Sequence, residues 1–186
     1  FTTAAAMIAK VEFHLKKNFG DDLAGKTISV FGATGPVGGC AAIIAALQGA
    51  KVQMAAHRAI ADVEEKATLW NGQYNINLQA VDGATETAKH DVLTSTDIAI
   101  CAAAAGVPVI SENLLANAKQ LKIIADVNAV PPLGVEGLAV DADGVPLLNG
   151  LGIGALAIGQ LKYKTQHELL KQMLTAEKPQ VLEFTA

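Results

Sequence analysis

The sequence predicts an α/β fold, a doubly wound parallel sheet with helices on both faces, and two observations carry that reading. Short apolar runs alternate with helical stretches along residues 26–126, a rhythm that calls for parallel strands joined by right-handed helical crossovers. The first of those runs also leads directly into a glycine triplet, Gly32, Gly35 and Gly38, that opens a helix. At 186 residues and 51% hydrophobic, the chain is long enough for one good core and short for two full domains.

The elements follow in order. Ile8, Val11 and Leu15 make one apolar stripe on a helix running to about residue 17, with Thr2 or Thr3 as its cap and Asn18-Phe19-Gly20 as its stop. After a turn over 21–25, residues 26–31 read as a buried strand. Pro36 then falls at the first helical position, where its missing N–H costs nothing, and the helix it starts ends at Gly49. The pattern repeats as strands over 51–56, 77–81, 98–102 and 122–126, separated by helices over 60–70, 86–94 and 112–119. The last third breaks the rhythm. Residues 128–134 form a proline-rich loop, 145–148 one more strand, and Gly152-Ile153-Gly154 opens a helix to about residue 174. A tail follows over 175–186, in which 181–184 reads as a short docking strand.

The glycine triplet carries the chemistry. Gly32 lets the chain turn sharply, Gly35 lets backbone approach a pyrophosphate, and Gly38 lets the helix pack close to the strand. Together with Thr34, Pro36 and Val37 they form a phosphate loop, whose ligand would meet free N–H groups at the positive end of the helix. In its strand-to-helix setting this loop is the mark of a dinucleotide-binding, Rossmann-like domain. The even spacing also suits short-chain dehydrogenases, but their tyrosine four residues before a lysine is missing: Tyr74 is followed four on by Leu78, and Tyr163 by His167.

NAD sites usually place a carboxylate after the second strand for the ribose diol. Here that strand ends in His57-Arg58, with Arg58 lying 20 residues past Gly38 and no carboxylate before Asp62. A guanidinium grips a phosphate through forked, charge-assisted hydrogen bonds, so Arg58 reads as a 2′-phosphate clamp assisted by His57. The alternative is a solvated surface arginine. The cofactor expected is NADP, with NAD possible.

Further edges of the cleft come from loops at the carboxyl ends of later strands. Ala103, Ala104 and Gly106 are small enough to let a nucleotide pass, or to permit tight internal packing. Asn128 can offer an amide to the nicotinamide, while Asp126 is expected to brace the Pro131-Pro132 loop. Gly152, Ile153 and Gly154 either approach the nicotinamide or simply cap a helix.

Other chemistries find little support. A net charge of −4 leaves no electrostatic footprint for nucleic acid. Cys40 and Cys101 form neither a disulfide framework nor a zinc motif, which favours a reducing, cytoplasmic setting and no metal. The apolar runs over 41–47 and 98–110 are too short or too interrupted to span a membrane, and no targeting segment is evident. His14, His90 and His167 read as surface helix residues, and no Ser-His-Asp or Cys-His set, nor any obvious general base, is present.

Taken together, Thr2-Thr3-Ala4-Ala5-Ala6, Thr34-Gly35-Pro36-Val37-Gly38, Ala125-Asp126-Val127-Asn128-Ala129 with Pro131-Pro132-Leu133-Gly134, and Leu151-Gly152-Ile153-Gly154 leading to Leu161-Lys162-Tyr163-Lys164 resemble the methylene-tetrahydromethanopterin dehydrogenase family, related in architecture to methylene-tetrahydrofolate dehydrogenases. The resemblance implies NAD(P)-dependent oxidation of a small-molecule methylene-tetrahydropterin to its methenyl form by direct hydride transfer. It also implies that Lys162 lies near the pterin as a positioning or electrostatic residue. Residues 1–186 are accordingly expected to be the cofactor domain, with 1–20 a linking helix, 26–174 the nucleotide-binding core and 175–186 a tail. The N-terminal domain that in this family forms the other wall of the pterin cleft is absent from this chain, and a start at Phe1 rather than Met suggests upstream sequence. A homo-oligomer is expected. Without the missing wall, a non-catalytic NADP-binding module acting through a partner stands as the alternative.

Overall fold

The computed structural model describes residues 1–178. Its helices are α1 (Thr2–Phe19), α2 (Pro36–Leu47), α3 (Ile60–Tyr74), α4 (Glu86–Thr94), α5 (Glu112–Asn117) and α6 (Ala155–Thr175). Its strands are β1 (Thr27–Phe31), β2 (Lys51–Ala56), β3 (Leu78–Asp82), β4 (Ile98–Cys101), β5 (Ile123–Asp126), β6 (Asp143–Leu147) and β7 (Gly150–Ile153). They form one sheet in the order β3-β2-β1-β4-β5-β7-β6. Every ladder is parallel except the β6–β7 pair at one edge. The α/β, doubly wound arrangement read from the sequence is therefore present, and its switch point lies where β2 and β4 leave β1 in opposite directions.

Central strands buried on both faces explain the unbroken apolar runs. Along β4, Ile98 and Ile100 face one core layer and Ala99 and Cys101 the other, the two-residue period of a strand. The first layer is closed by Met7, Val11 and Leu15 of α1 and by Ile43 of α2. The second is closed by Leu93 of α4 and by Leu114 and Leu115 of α5. Residues 1–20, expected to act as a link, thus supply a helix that is part of the core.

Several local readings change. Thr2 and Thr3 lie inside α1, whose N-cap is Phe1 with no side-chain cap. Helix α3 runs on to Tyr74 and α5 stops at Asn117. Of the stretch before α6, only Gly154 opens the helix, as its N-cap; the rest is a strand, β7, which pairs with Ile123, Ile124 and Ala125 of β5. Its glycines suit that place, because a Cβ on Gly150 would sit 2.8 Å from the Leu121 carbonyl oxygen and one on Gly152 would sit 2.4 Å from Leu138 Cδ1. The docking strand expected over 181–184 lies outside the described residues.

His14, expected at the surface, is buried. Its Nε2 lies 2.8 Å from Asp143 Oδ1, and Lys10 Nζ donates to Asp143 Oδ2 at 2.7 Å. The imidazole packs over Gly144, where a Cβ would fall 2.1 Å from the ring. Burial opposes ionisation of Asp143, but hydrogen bonds from Lys10 and His14 outweigh it and hold the carboxyl below its ordinary range. His90 is half-buried beside Asp91, and His167 is exposed.

Candidate functional site

The phosphate loop takes the form its glycines require. Gly32 has φ +80°, and a Cβ there would lie 2.4 Å from the Ala102 carbonyl oxygen. A Cβ on Gly38 would lie 2.3 Å from the Gly32 oxygen, so the loop, α2 and the chain after β4 touch backbone to backbone. Gly35 differs. Its only neighbour within 4 Å of an added Cβ is the Gly32 oxygen, at 3.3 Å. Gly35 is also the N-cap of α2, and the N–H groups of Val37 and Gly38 have no carbonyl one turn earlier to bond. An anion at this end meets free donors and the positive pole of the helix.

A cleft of about 490 Å³ lies outside the carboxyl ends of β1, β2 and β4. Of the residues expected to hold a cofactor, Gly32, Thr34, Gly35, His57, Arg58, Ala103 and Ala104 line it. Gly83, after β3, and the Val107–Val109 segment complete its walls. No Asp or Glu lines it. His57 and Arg58 are exposed and, among the described residues, have no hydrogen-bond or ion-pair partner in the chain. Lys89 of α4 also reaches the cleft. Sequence reasoning missed it, because a lysine inside a helix announces nothing until the rotation of that helix against the sheet is known.

Pro36, Val37 and Gly38 stand behind the loop and do not line the cleft, nor does Gly106, which turns the chain with φ +75°. At the end of β5, Asp126 is buried and accepts the N–H groups of Asn128 at 2.9 Å and Val135 at 3.2 Å. It thus braces the loop around the cis Pro131-Pro132 bond. Burial pushes its carboxyl up, against the lowering effect of those N–H bonds. Burial and the nearby Asp126 also push the Cys101 thiol up.

Asn128 has a use inside the same loop. Its Nδ2 donates to the Pro132 oxygen at 3.2 Å and its Oδ1 accepts the Val130 N–H at 2.9 Å, so both ends of the amide are engaged. The Gly152-Ile153-Gly154 segment is likewise accounted for by the protein itself. The Ile153 side chain is fully buried in the core, and a Cβ on Gly154 would lie 2.3 Å from the Ala139 oxygen. These residues do not line the cleft, the physical reason being that their space is filled by residues 138–140. Lys162 is half-buried in the middle of α6 and is not among the lining residues either. Among the described residues there is no group of three His, Cys, Asp or Glu side chains that could hold a metal, and no helix is long and apolar enough to cross a membrane.

No family model matches the chain. The NAD(P)-dependent methylenetetrahydromethanopterin dehydrogenase of Methylorubrum extorquens is 41% identical over 186 residues, which is 99% of this chain and 63% of that protein. The Bifunctional protein MdtA of the same organism is 29% identical over 172 residues, 92% of this chain and 58% of that protein. The chain therefore spans less than two thirds of the relatives it matches. Among solved structures, the transhydrogenase from Sinorhizobium meliloti aligns with a TM-score of 0.59 at 17% identity, over 93% of this chain and 55% of that one. Shikimate 5-dehydrogenase from Listeria monocytogenes aligns with a TM-score of 0.56 at 18% identity, over 91% and 62%. These two share its Rossmann-like fold.

Proposed function

We propose that the chain, 41% identical over 186 residues to a methylenetetrahydromethanopterin dehydrogenase, is the nucleotide-binding part of an NADP-linked dehydrogenase of that kind that oxidises a methylene-tetrahydropterin to its methenyl form. One observation supports the nucleotide assignment above the rest. The cleft joins Gly35 at the N-cap of α2, the backbone of Gly32 and Thr34 beside it, and an unpaired Arg58, with no acidic side chain among its lining residues. A pyrophosphate fits the first two, and a ribose 2′-phosphate suits the third better than a bare diol would.

Held in this cleft, a nicotinamide dinucleotide would supply the hydride acceptor, so that oxidation of a methylene-tetrahydropterin to its methenyl form would be balanced by reduction of the cofactor. Lone pairs on the pterin nitrogens stabilise the methenyl cation, so the step asks no side chain to remove a proton. The chain's own work is positional: Gly32 and Gly35 seat the diphosphate, Arg58 and His57 fix the adenosine end, and Ala103 and Ala104 let the nucleotide lie close to the sheet. We assign Lys162 to orienting the pterin from α6. The substrate is methylene-tetrahydromethanopterin or methylene-tetrahydrofolate.

The test is a hydride-transfer assay on the full-length protein with each pterin, followed by NADPH absorbance. Turnover on at least one pterin is expected. Binding of NADP without turnover on either pterin would overturn the enzyme reading in favour of a non-catalytic NADP-binding module.

A further inference from the structure

One cation at the nucleotide cleft is not used by that reading. Lys89, one turn into α4, lines the cleft with Arg58 and also lines a neighbouring cleft of about 440 Å³ beyond Pro108 and Val109. It therefore stands in the partition between the two. Its side chain is 16% exposed, and the carboxylate bonded to it is that of Glu86, 3.1 Å away and 65% exposed. Glu86 lines the outer cleft and not the nucleotide cleft. On the nucleotide side, Lys89 thus presents a partly desolvated positive charge that no acidic lining residue balances. The hold of Glu86 is weak, because its carboxylate lies largely in solvent three residues away on the same helix.

We propose that Lys89 is the second cation of a subsite for a phosphomonoester on the adenosine ribose, so that Lys89 and Arg58 together set a preference for NADP over NAD. The proposal rests on the nucleotide reading above and adds a specificity-determining residue to it. The chemistry requires more than one positive group. A phosphomonoester carries a charge of about −1.5 to −2 near neutral pH and three strong acceptor oxygens, whereas a single guanidinium fork satisfies two oxygens and one unit of charge. A lysine amine on a flexible stem can leave Glu86 and supply the remaining donor. A rival use of the same amine, donation to ring nitrogens of adenine, would serve NADP and NAD alike, and this difference separates the two.

The experiment is titration calorimetry of NADP and NAD against the full-length protein at fixed ionic strength, with wild type, Lys89→Met and Lys89→Arg. Lys89→Met is expected to weaken NADP at least tenfold while NAD changes less than twofold, and Lys89→Arg to restore most of the NADP affinity. An NADP affinity within twofold of wild type in Lys89→Met, or equal weakening of both nucleotides, would overturn the proposal. If the methionine variant does not fold, Lys89→Gln carries the same comparison. A wild type that binds neither nucleotide sinks the nucleotide reading itself; a wild type that binds both while Lys89→Met is unaltered sinks only the role of Lys89.

Discussion

At the scale of single residues, the three glycines of the phosphate loop separate by what surrounds them. An alanine at position 38 would press on the Gly32 carbonyl at 2.3 Å, an overpacking of backbone against backbone that is expected to cost about 3 kcal/mol. At position 35 φ is an ordinary −79°, and a methyl group would meet only the Gly32 oxygen at 3.3 Å, a tight contact that a shift of a few tenths of an ångström relieves. Gly35→Ala should therefore fold with a stability within about 1 kcal/mol of wild type yet bind NADP roughly tenfold or more weakly, since the added methyl occupies the pyrophosphate approach. Urea denaturation with nucleotide titration distinguishes the two variants. Arg58→Asp is expected to weaken NADP at least tenfold and to narrow or reverse the gap to NAD, read in the same titrations. Lys162→Ala is expected to lower kcat by about tenfold or more with NADP affinity unchanged; an unchanged kcat would remove it from the pterin site.

At the scale of elements, α1 is pinned to the sheet edge by a contact that spans most of the chain. Asp143 on β6 receives Lys10 and His14 from α1. Because its folded pKa lies below the ordinary 3.8, the stability this carboxylate lends is complete above about that pH and is lost as the pH falls through the lower folded value. Asp143→Asn is expected to be less stable than wild type by about 1 kcal/mol at neutral pH, the usual worth of a half-exposed pair. The gap should close as the pH falls below 3.8, as denaturation curves across pH would record. Nothing near His14 in the sequence hints at Asp143. Its partner lies 129 residues away, and the surface reading rested on the habit of isolated histidines, although position 14 shares the buried stripe of Met7, Val11 and Leu15. The opposite holds for β1, β4 and β5, whose buried runs of Ile, Val and Ala declare themselves locally. Strand β7 was hidden for a related reason: Gly152 looks like a helix-opening residue until Leu138 is seen packed against it.

At the scale of the whole molecule, the parallel sheet was legible because alternation and a phosphate loop are short-range signals. The rear wall and floor of the cleft were not. Lys89, Gly83 and Val107 reach it from separate elements, and only the assembled sheet brings them together, while Asn128 is hydrogen-bonded within its own loop and Gly152 and Gly154 pack against residues 138–140. A ligand that binds the native state alone raises its stability by mass action, about 2.7 kcal/mol at a hundred times Kd. NADP at such excess is therefore expected to raise the melting temperature by several degrees, and NAD at the same concentration by less; identical shifts would contradict the 2′-phosphate assignment.

The contact of Gly32 with Ala102, and of Gly38 with Gly32, bears on inheritance as well as on binding. The first and third glycines answer to the protein's own backbone, whereas the middle one, which lines the cleft beside Gly32, has only a 3.3 Å contact with the Gly32 oxygen to answer to. A descendant that ceased to bind nucleotides would still be held to glycine at the first and third places by the need to fold, while the second drifted. Among distant relatives, the residue at position 35 is therefore the one to read when asking whether the pocket is still in use.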